Sequence, residues 1–477
     1  MVFPEVLDLA RYRGMRKEFP PFGALYVSAA IEREGHEVAI VRISPARPSP
    51  DLADFDAVAF SVSASATFNL MLECRRTSRF SAGALLMAGG VHANLFPEQT
   101  LVDLDVDVVG VGEGEHTVVE LLARAQTRDF SDVAGVLFRR GGVIFRTPPR
   151  LPSRDIDRLP FPARHLLPVD EVVMNDRMSD TDLRMAHIML GRGCPFTCRY
   201  CASGQTKVQY RSGGEVRREL VDLIRTYDIK GFAMVGNDFV LNRRNVAEIC
   251  DSIGDLGLRW AALSRVDRVD RDLLSMMGRA GCHEIEYGIE SGSMRMLEAM
   301  GKGVTLDQVR RALRMSHEAG IKNKAFLVHG YPGENEESVG QTIAFLDEVG
   351  DLIGRMSLFR FVPLPGSFVY NQAKCLGIRG TPASPDWDGD WGRFHIHHNN
   401  NHWWGTPEDF EELTASYHRL REYVEARWPS RHRPDDISPD EWGERRRALA
   451  RTFEYHRGTF EVVDIYGKDS LRKTVAS

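Results

Sequence analysis

The chain has 477 residues with 61 Lys and Arg against 67 Asp and Glu, a formal charge of -6, and is 43% hydrophobic and 27% charged. That acidic balance argues against a protein that grips nucleic acid by neutralising phosphates, and at ~150 residues per domain the length suggests about three domains. No apolar run approaches the ~20 residues needed to span a bilayer, and the acids in MVFPEVLDLARYRG come too early for a secretory signal. The expectation is a cytoplasmic protein with no membrane span and no nucleic-acid partner.

Residues 1–150 alternate short apolar runs with helical patterns. Ala24–Glu34 has a helical pattern, and Gly35 and His36 lead into the strand Val38–Ile43. Ala57–Ser61, Ala84–Met87 and Val106–Val111 are further strands, each opening into a small-residue loop: SVSAS, AGGVHAN and GVGEGEH. Such alternation predicts a parallel sheet, and open α/β sheets bind ligands at the carboxyl ends of their strands. Gly89, Gly90, Gly112 and Gly114 are therefore either ligand-binding glycines or tight strand-to-helix turns.

The proline- and arginine-rich stretch Arg146–Leu167 has the composition of a linker. From about Ala186 a second alternation begins, with strands expected at 188–190, 231–235, 260–263, 284–288, 324–328 and 356–361. Helical patterns such as Val216–Tyr227, Leu306–Ala319 and Glu337–Val349 separate them. Six β/α units in about 180 residues predict a partial parallel barrel with its chemistry at the carboxyl ends of the strands. After Ser367 the alternation fades into loop and polar helix, and the arginine-rich run Arg445–Arg451 is expected to be a solvated helix face.

Of seven cysteines, Cys194, Cys198 and Cys201 fall together in GRGCPFTCRYC, directly after the first barrel strand. A C-x3-C-x2-C loop can wrap three thiolates around one face of a four-iron cluster, leaving one iron open to another ligand. Zinc also accepts thiolates, but its loops favour C-x2-C pairs and no histidine follows closely. Cys74, Cys250 and Cys282 sit in helix or strand patterns and are expected to be buried small hydrophobes.

The C-x3-C-x2-C loop, with Tyr200 before its last cysteine, resembles the signature of radical S-adenosylmethionine (SAM) enzymes. The resemblance continues through GND (236–238), Arg265, GIESGS (288–293), GYPGE (330–334) and PLPGS (363–367). Upstream, FPPFGALYVSAAIEREGHEV, AGGVHAN, GVGEGEHTVVELL and DRLPFPARHLLP resemble the cobalamin-binding-domain subgroup, so the likeness spans roughly residues 19–370. It implies an N-terminal Rossmann-like (flavodoxin-like) domain at 1–150, a linker at 151–185, a partial (β/α)6 TIM-like radical SAM barrel at 186–370, and a mainly helical capping region at 371–477. A D-x-H-x-x-G motif is absent, which implies cobalamin held without that histidine on cobalt, or a domain that has lost cobalamin.

By this resemblance Cys194, Cys198 and Cys201 hold a 4Fe-4S cluster whose open iron binds SAM, with Tyr200, Gly236, Asn237, Asp238, Arg265, Glu290 and Ser291 as SAM contacts. From the residues alone, Asp238 could equally be a helix cap, and Arg265 could simply pair with Glu290. Cobalamin falls to Ser61, Ser63, Gly89, Gly90, His92, Gly112, Glu113 and Gly114. The implied function is a cobalamin-dependent C-methyltransferase acting on an unactivated carbon of a small-molecule or natural-product intermediate, through a 5′-deoxyadenosyl radical and methylcobalamin. It draws its electron from a donor such as flavodoxin or ferredoxin. The alternatives are a radical SAM rearrangement or cyclisation without methyl transfer and, more remotely, a non-catalytic cobalamin or iron–sulfur sensor. The cysteine count leaves no room for a second cluster.

WDGDWGRFHIHHNNNHWW (387–404) is the most unusual stretch. It can be a substrate cap using His395, His397, His398, His402 and Trp403, a further metal site, or an aromatic-pinned packing loop.

Overall fold

The computed structural model describes residues 1–4, 20–44, 49–175, 183–396, 401–429, 459–465 and 471–476. Two sheets dominate. In the first, Val2–Pro4, Val41–Ile43, Ala57–Ser61, Leu85–Gly89 and Val108–Gly110 run parallel. Their order is second, first, third, fourth, fifth, the flavodoxin-like arrangement. Val136–Arg140 and Val143–Arg146 extend the sheet as an antiparallel hairpin. Its two-residue turn, Gly141 and Gly142, has positive φ at both positions (59° and 82°), as the twist of a tight hairpin demands.

The second sheet carries six parallel strands in chain order: Arg184–Met189, Gly231–Val235, Arg259–Ser264, Cys282–Glu290, Lys322–His329 and Arg355–Arg360. Among the described residues the first and last of these do not pair, so the barrel is partial. Side-chain alternation assigns the two faces. Ile285, Tyr287 and Ile289 pack into the main core, and Tyr287 bonds Ser316 on the helix Leu306–Glu318 at 2.8 Å. Glu284, Glu286, Gly288 and Glu290 therefore face the concave side, where Lys324 pairs with Glu286 at 3.1 Å and Arg355 with Glu284. The intervening helices start on caps that the sequence encodes: Ser212, Asn242, Asp270, Thr305 and Asn335 each accept a backbone N–H of the first turn.

Cys74, Cys250 and Cys282 are buried as expected. The long helix Pro407–Arg427, capped by Thr406 and Asp409, lies along Glu336–Val349, and Arg427 reaches Asp351 at 2.9 Å. Two late strands are not foreseen by the sequence pattern. Thr459–Asp464 returns to pair parallel with Val143–Arg146, and Leu471–Ala476 closes that edge antiparallel. They are six residues each, and TFEVVD and LRKTVA carry no turn signal to mark them out. The arginine-rich run Arg445–Arg451 lies outside the described residues.

Candidate active site

The first barrel strand ends at Met189, and a short antiparallel pair, Gly191–Arg192 with Gln209–Tyr210, closes a loop carrying all three clustered cysteines. Gly193 has φ +86°, and a Cβ there would lie 2.0 Å from Lys207 O, so no other residue fits the loop's entry. Internal hydrogen bonds fix the loop. Cys194 N donates to Thr206 Oγ1 (2.8 Å), Thr206 N to Cys194 O (2.9 Å) and Gln205 N to Phe196 O (3.0 Å).

The three thiols are partly exposed. Burial pushes the Cys194 and Cys201 thiols up, and the neighbouring thiols push the same way, so the three lie within electrostatic reach of one another. Among the described residues no three His, Cys, Asp or Glu side chains converge tightly enough for a single metal ion. A half-exposed trio of mutually repelling sulfurs fits a polynuclear iron cluster better than one zinc ion.

Around that loop stand residues from the ends of the second, third and fourth barrel strands. Arg265 lies with its guanidinium carbon 4.0 Å from the centre of the Phe196 ring and Nη1 3.7 Å from Cys198 Sγ. Its remaining nitrogens donate to Asp267 (2.8 Å) and Lys302 O (2.8 Å). Tyr200 Oη donates to Glu290 Oε1 at 2.8 Å, and Lys302 Nζ reaches the same oxygen at 2.8 Å. Arg265 therefore pairs with Asp267, and Glu290 with Lys302, rather than with each other. Glu290 sits at a register irregularity with φ +69°, an uncommon conformation for a residue with a side chain. Gly288 completes the packing, since a Cβ there would lie 2.3 Å from Glu290 Oε1.

Gly236, Asn237 and Asp238 follow the second barrel strand, and an open cleft lies there between Asn237, Asp238, Gly193 and Tyr210. Asp238 Oδ1 caps the following turn by accepting from Val240 N at 3.1 Å. Oδ2 is buried without a hydrogen-bond partner, and burial pushes the carboxyl up to about 6. An orphaned carboxylate oxygen beside the cysteine loop suits a ligand that donates N–H or O–H. Ser291 is turned away from this cleft. It is 1% exposed and bonds Thr342 (3.2 Å) and Ser293 N (3.1 Å), so it shapes the GIESGS turn.

The strand-end loops of the first sheet meet the cysteine loop. Arg192, two residues before Cys194, pairs with Glu115 and lies 3.9 Å from Glu113, while its guanidinium covers the Tyr26 ring at 5.3 Å. Glu113 also accepts from Ser153 N at 2.7 Å, so its carboxylate is committed to this junction. Ser63 is exposed and Gly112, with φ +96°, has open space where a Cβ would stand. Gly90 (φ +103°) is a structural necessity, because a Cβ there would sit 2.7 Å from Val62 O. His92 is corrected by the structure. It is fully buried, bonds Ser65 through Nδ1 at 2.9 Å, and lies among Phe68 (4.1 Å), Trp391 (4.7 Å) and Phe96 (5.1 Å). Burial drives it down to about 3, so it is a neutral core histidine and not a ligand on display.

Comparison with known proteins agrees with this geometry. The family model described as the radical SAM superfamily matches residues 188–346, and that of the B12 binding domain matches residues 15–122. The chain belongs to the cobalamin-binding subgroup of the radical SAM superfamily. It is 29% identical over 368 residues to an uncharacterized methyltransferase of Pyrococcus horikoshii, covering 74% of this chain and 78% of that one. It is 24% identical over 414 residues to a cytidylyl-2-hydroxyethylphosphonate methyltransferase of Streptomyces wedmorensis, covering 73% and 76%. An anaerobic magnesium-protoporphyrin IX monomethyl ester cyclase of Cereibacter sphaeroides is 28% identical over 275 residues, covering 54% and 44%. The fold is that of the radical SAM methyltransferase TsrM from Kitasatospora setae, solved with cobalamin and a 4Fe-4S cluster (TM-score 0.60, 18% identity, 80% and 79% covered).

A radical SAM enzyme with a B12-binding domain takes a 4Fe-4S cluster, SAM and cobalamin, and the three thiols and the open strand-end loops fit these groups. Lys302 and Arg192 escaped the sequence reading. Lys302 belongs to an unremarkable GKG turn, and only the fold brings it under Glu290. Among the described residues no helix is long and apolar enough to cross a membrane.

The 387–404 segment divides in two. Trp391, Phe394 and Trp403 pack into the core shared with the first domain, and His395 is 7% exposed. His402 stacks on Phe410 (4.5 Å), and Trp404 Nε1 donates to Gly330 O (2.8 Å) at the end of the fifth barrel strand. His397 and His398 lie outside the described residues.

Proposed function

We propose that this radical SAM enzyme is a C-methyltransferase acting on an unactivated carbon of a small-molecule or natural-product intermediate. The observation that carries it is the junction of Arg192 with Glu113 and Glu115, which ties the loop of the cluster cysteines to the loop ends of the B12-binding domain. Methyl transfer between two cofactors and a substrate requires all three at one place. When bound, the cluster supplies one electron to SAM and cobalamin carries the methyl group.

The chain's own residues do the positioning. Cys194, Cys198 and Cys201 are the metal ligands. Arg265 holds Phe196 and the Cys198 sulfur in place, and Glu290, clamped by Lys302, orients Tyr200 beside the last cysteine. Gly236 and Asn237 leave room for SAM, and the free Oδ2 of Asp238 accepts from it. Ser61, Ser63, Gly89, Gly112 and Gly114 face cobalamin, and His402 belongs to the substrate side. The electron comes from a small donor such as flavodoxin or ferredoxin, in the cytoplasm.

The test is product analysis with SAM and reductant. Methyl transfer yields S-adenosylhomocysteine together with 5′-deoxyadenosine. A second reading, rearrangement or cyclisation without methyl transfer, is favoured by the cyclase likeness and yields 5′-deoxyadenosine without S-adenosylhomocysteine.

A further inference from the structure

Arg360 ends the sixth barrel strand, in register with His329 at the end of the fifth. Both lie on the face turned to the helix Pro407–Arg427: His329 Nε2 meets Ser416 Oγ at 3.0 Å, and the Arg360 guanidinium carbon stands 4.0 Å from the centre of the Tyr417 ring. An open cleft lies there, lined by His329, Arg360, His402 and Trp404.

The other buried or half-buried arginines described above have carboxylates: Arg192 has Glu115, Arg265 has Asp267 and Arg355 has Glu284. Arg360 is the exception. No carboxylate among the described residues pairs with it, and its Nε is buried without a hydrogen-bond partner. Arg421 adds a second guanidinium, 5.9 Å from the Tyr417 ring centre, whose own acid is Glu425 at 3.7 Å. A partly buried cation with no counter-ion is costly, so the missing element is an anion.

We propose that this cleft binds an oxyanion, a phosphate or carboxylate group of a ligand, with Arg360 as its anchor. The guanidinium fork matches two oxyanion oxygens. Burial, reinforced by Arg360, keeps both histidines uncharged (His329 falls to about 3). The one N–H of His329 goes to Ser416 Oγ, whose hydroxyl donates to Leu413 O, so His402 is the histidine that can offer an N–H to the anion without adding charge. Trp404 and Phe361 line the same cleft and suit an organic body attached to the anion. The proposal rests on placing His402 on the substrate side, and gives that side its chemistry.

The experiment is calorimetric titration of the full-length, cluster-loaded protein with inorganic phosphate and, separately, with acetate. Saturable binding of either anion is expected in the wild type. Arg360→Met should weaken it by roughly tenfold to a hundredfold, and Arg360→Lys by less. Phosphate alone binding assigns the ligand a phosphate group, and acetate alone a carboxylate. His402→Gln serves as the second probe should Arg360→Met fold poorly, and it too should weaken binding. The proposal is overturned when neither anion binds the wild type, or when Arg360→Met or His402→Gln binds as the wild type does. 5′-Deoxyadenosine and S-adenosylhomocysteine measured in the same samples report separately on the methyltransferase reading.

Discussion

Tyr200 donates its hydroxyl to Glu290 Oε1 at 2.8 Å, across 90 positions of sequence, and so ties the residue before the last clustered cysteine to the fourth barrel strand. Lys302 supplies the counter-charge at 2.8 Å, with both partners under a tenth exposed. Glu290 holds φ +69°, so the surrounding contacts keep it in a conformation it would not choose alone.

Removing the cation should expose that dependence. Lys302→Met leaves a buried carboxylate without its partner, which costs about 3–5 kcal/mol in urea denaturation. The double change Glu290→Gln with Lys302→Met should recover a large part of the loss, because the uncompensated charge goes with it. A single variant that unfolds at the wild-type urea concentration would refute the pairing.

Arg192 joins the two domains at the cysteine loop. Arg192→Ala strands Glu115, whose side chain is 6% exposed, and should loosen the helix Gly114–Leu122 while leaving cluster iron in place. Hydrogen exchange read by mass spectrometry should show faster exchange in 114–122. Unchanged protection there would remove the basis for the junction.

Glu334 gives a pH signature. Burial pushes its carboxyl up to about 7 from 4.5, against the pull of the Gly330 N–H it accepts and of Arg295. Between those values the folded chain keeps a proton that the unfolded chain has released, so this group lowers stability as pH rises from about 4.5 to about 7. Glu334→Gln should flatten that part of the stability profile in thermal melts. A variant profile as steep as the wild type's would show that Glu334 does not titrate there.

Much of the architecture is legible because its signals are local. GFAMV at 231–235 is a strand at those very positions, and Leu306–Ala319 misses the helix end by one residue. The cysteine trio is legible from its spacing alone. The missed features are those that only tertiary packing creates. Lys302 acquires its role from a turn folding under Glu290, Arg192 from two domains meeting, and His92 loses its expected one because Trp391, some 300 positions away, covers it. The late strands Thr459–Asp464 and Leu471–Ala476 likewise depend on a sheet finished more than 300 residues earlier.

The cluster assignment is checked one thiol at a time. Cys194→Ala, Cys198→Ala and Cys201→Ala should each lose iron and 5′-deoxyadenosine formation, since three thiolates are the fewest that hold an open-site cluster. A variant that kept a SAM-responsive cluster would contradict the ligand set.

The most direct test of a single two-cofactor site is the content of chain produced with a cobalamin supply and purified without oxygen. Cobalamin is read by absorbance, alongside iron and sulfide. About one cobalamin and about four irons per chain are expected. Four irons with no cobalamin would contradict the two-cofactor site, and would shift the reaction to radical chemistry without methyl transfer.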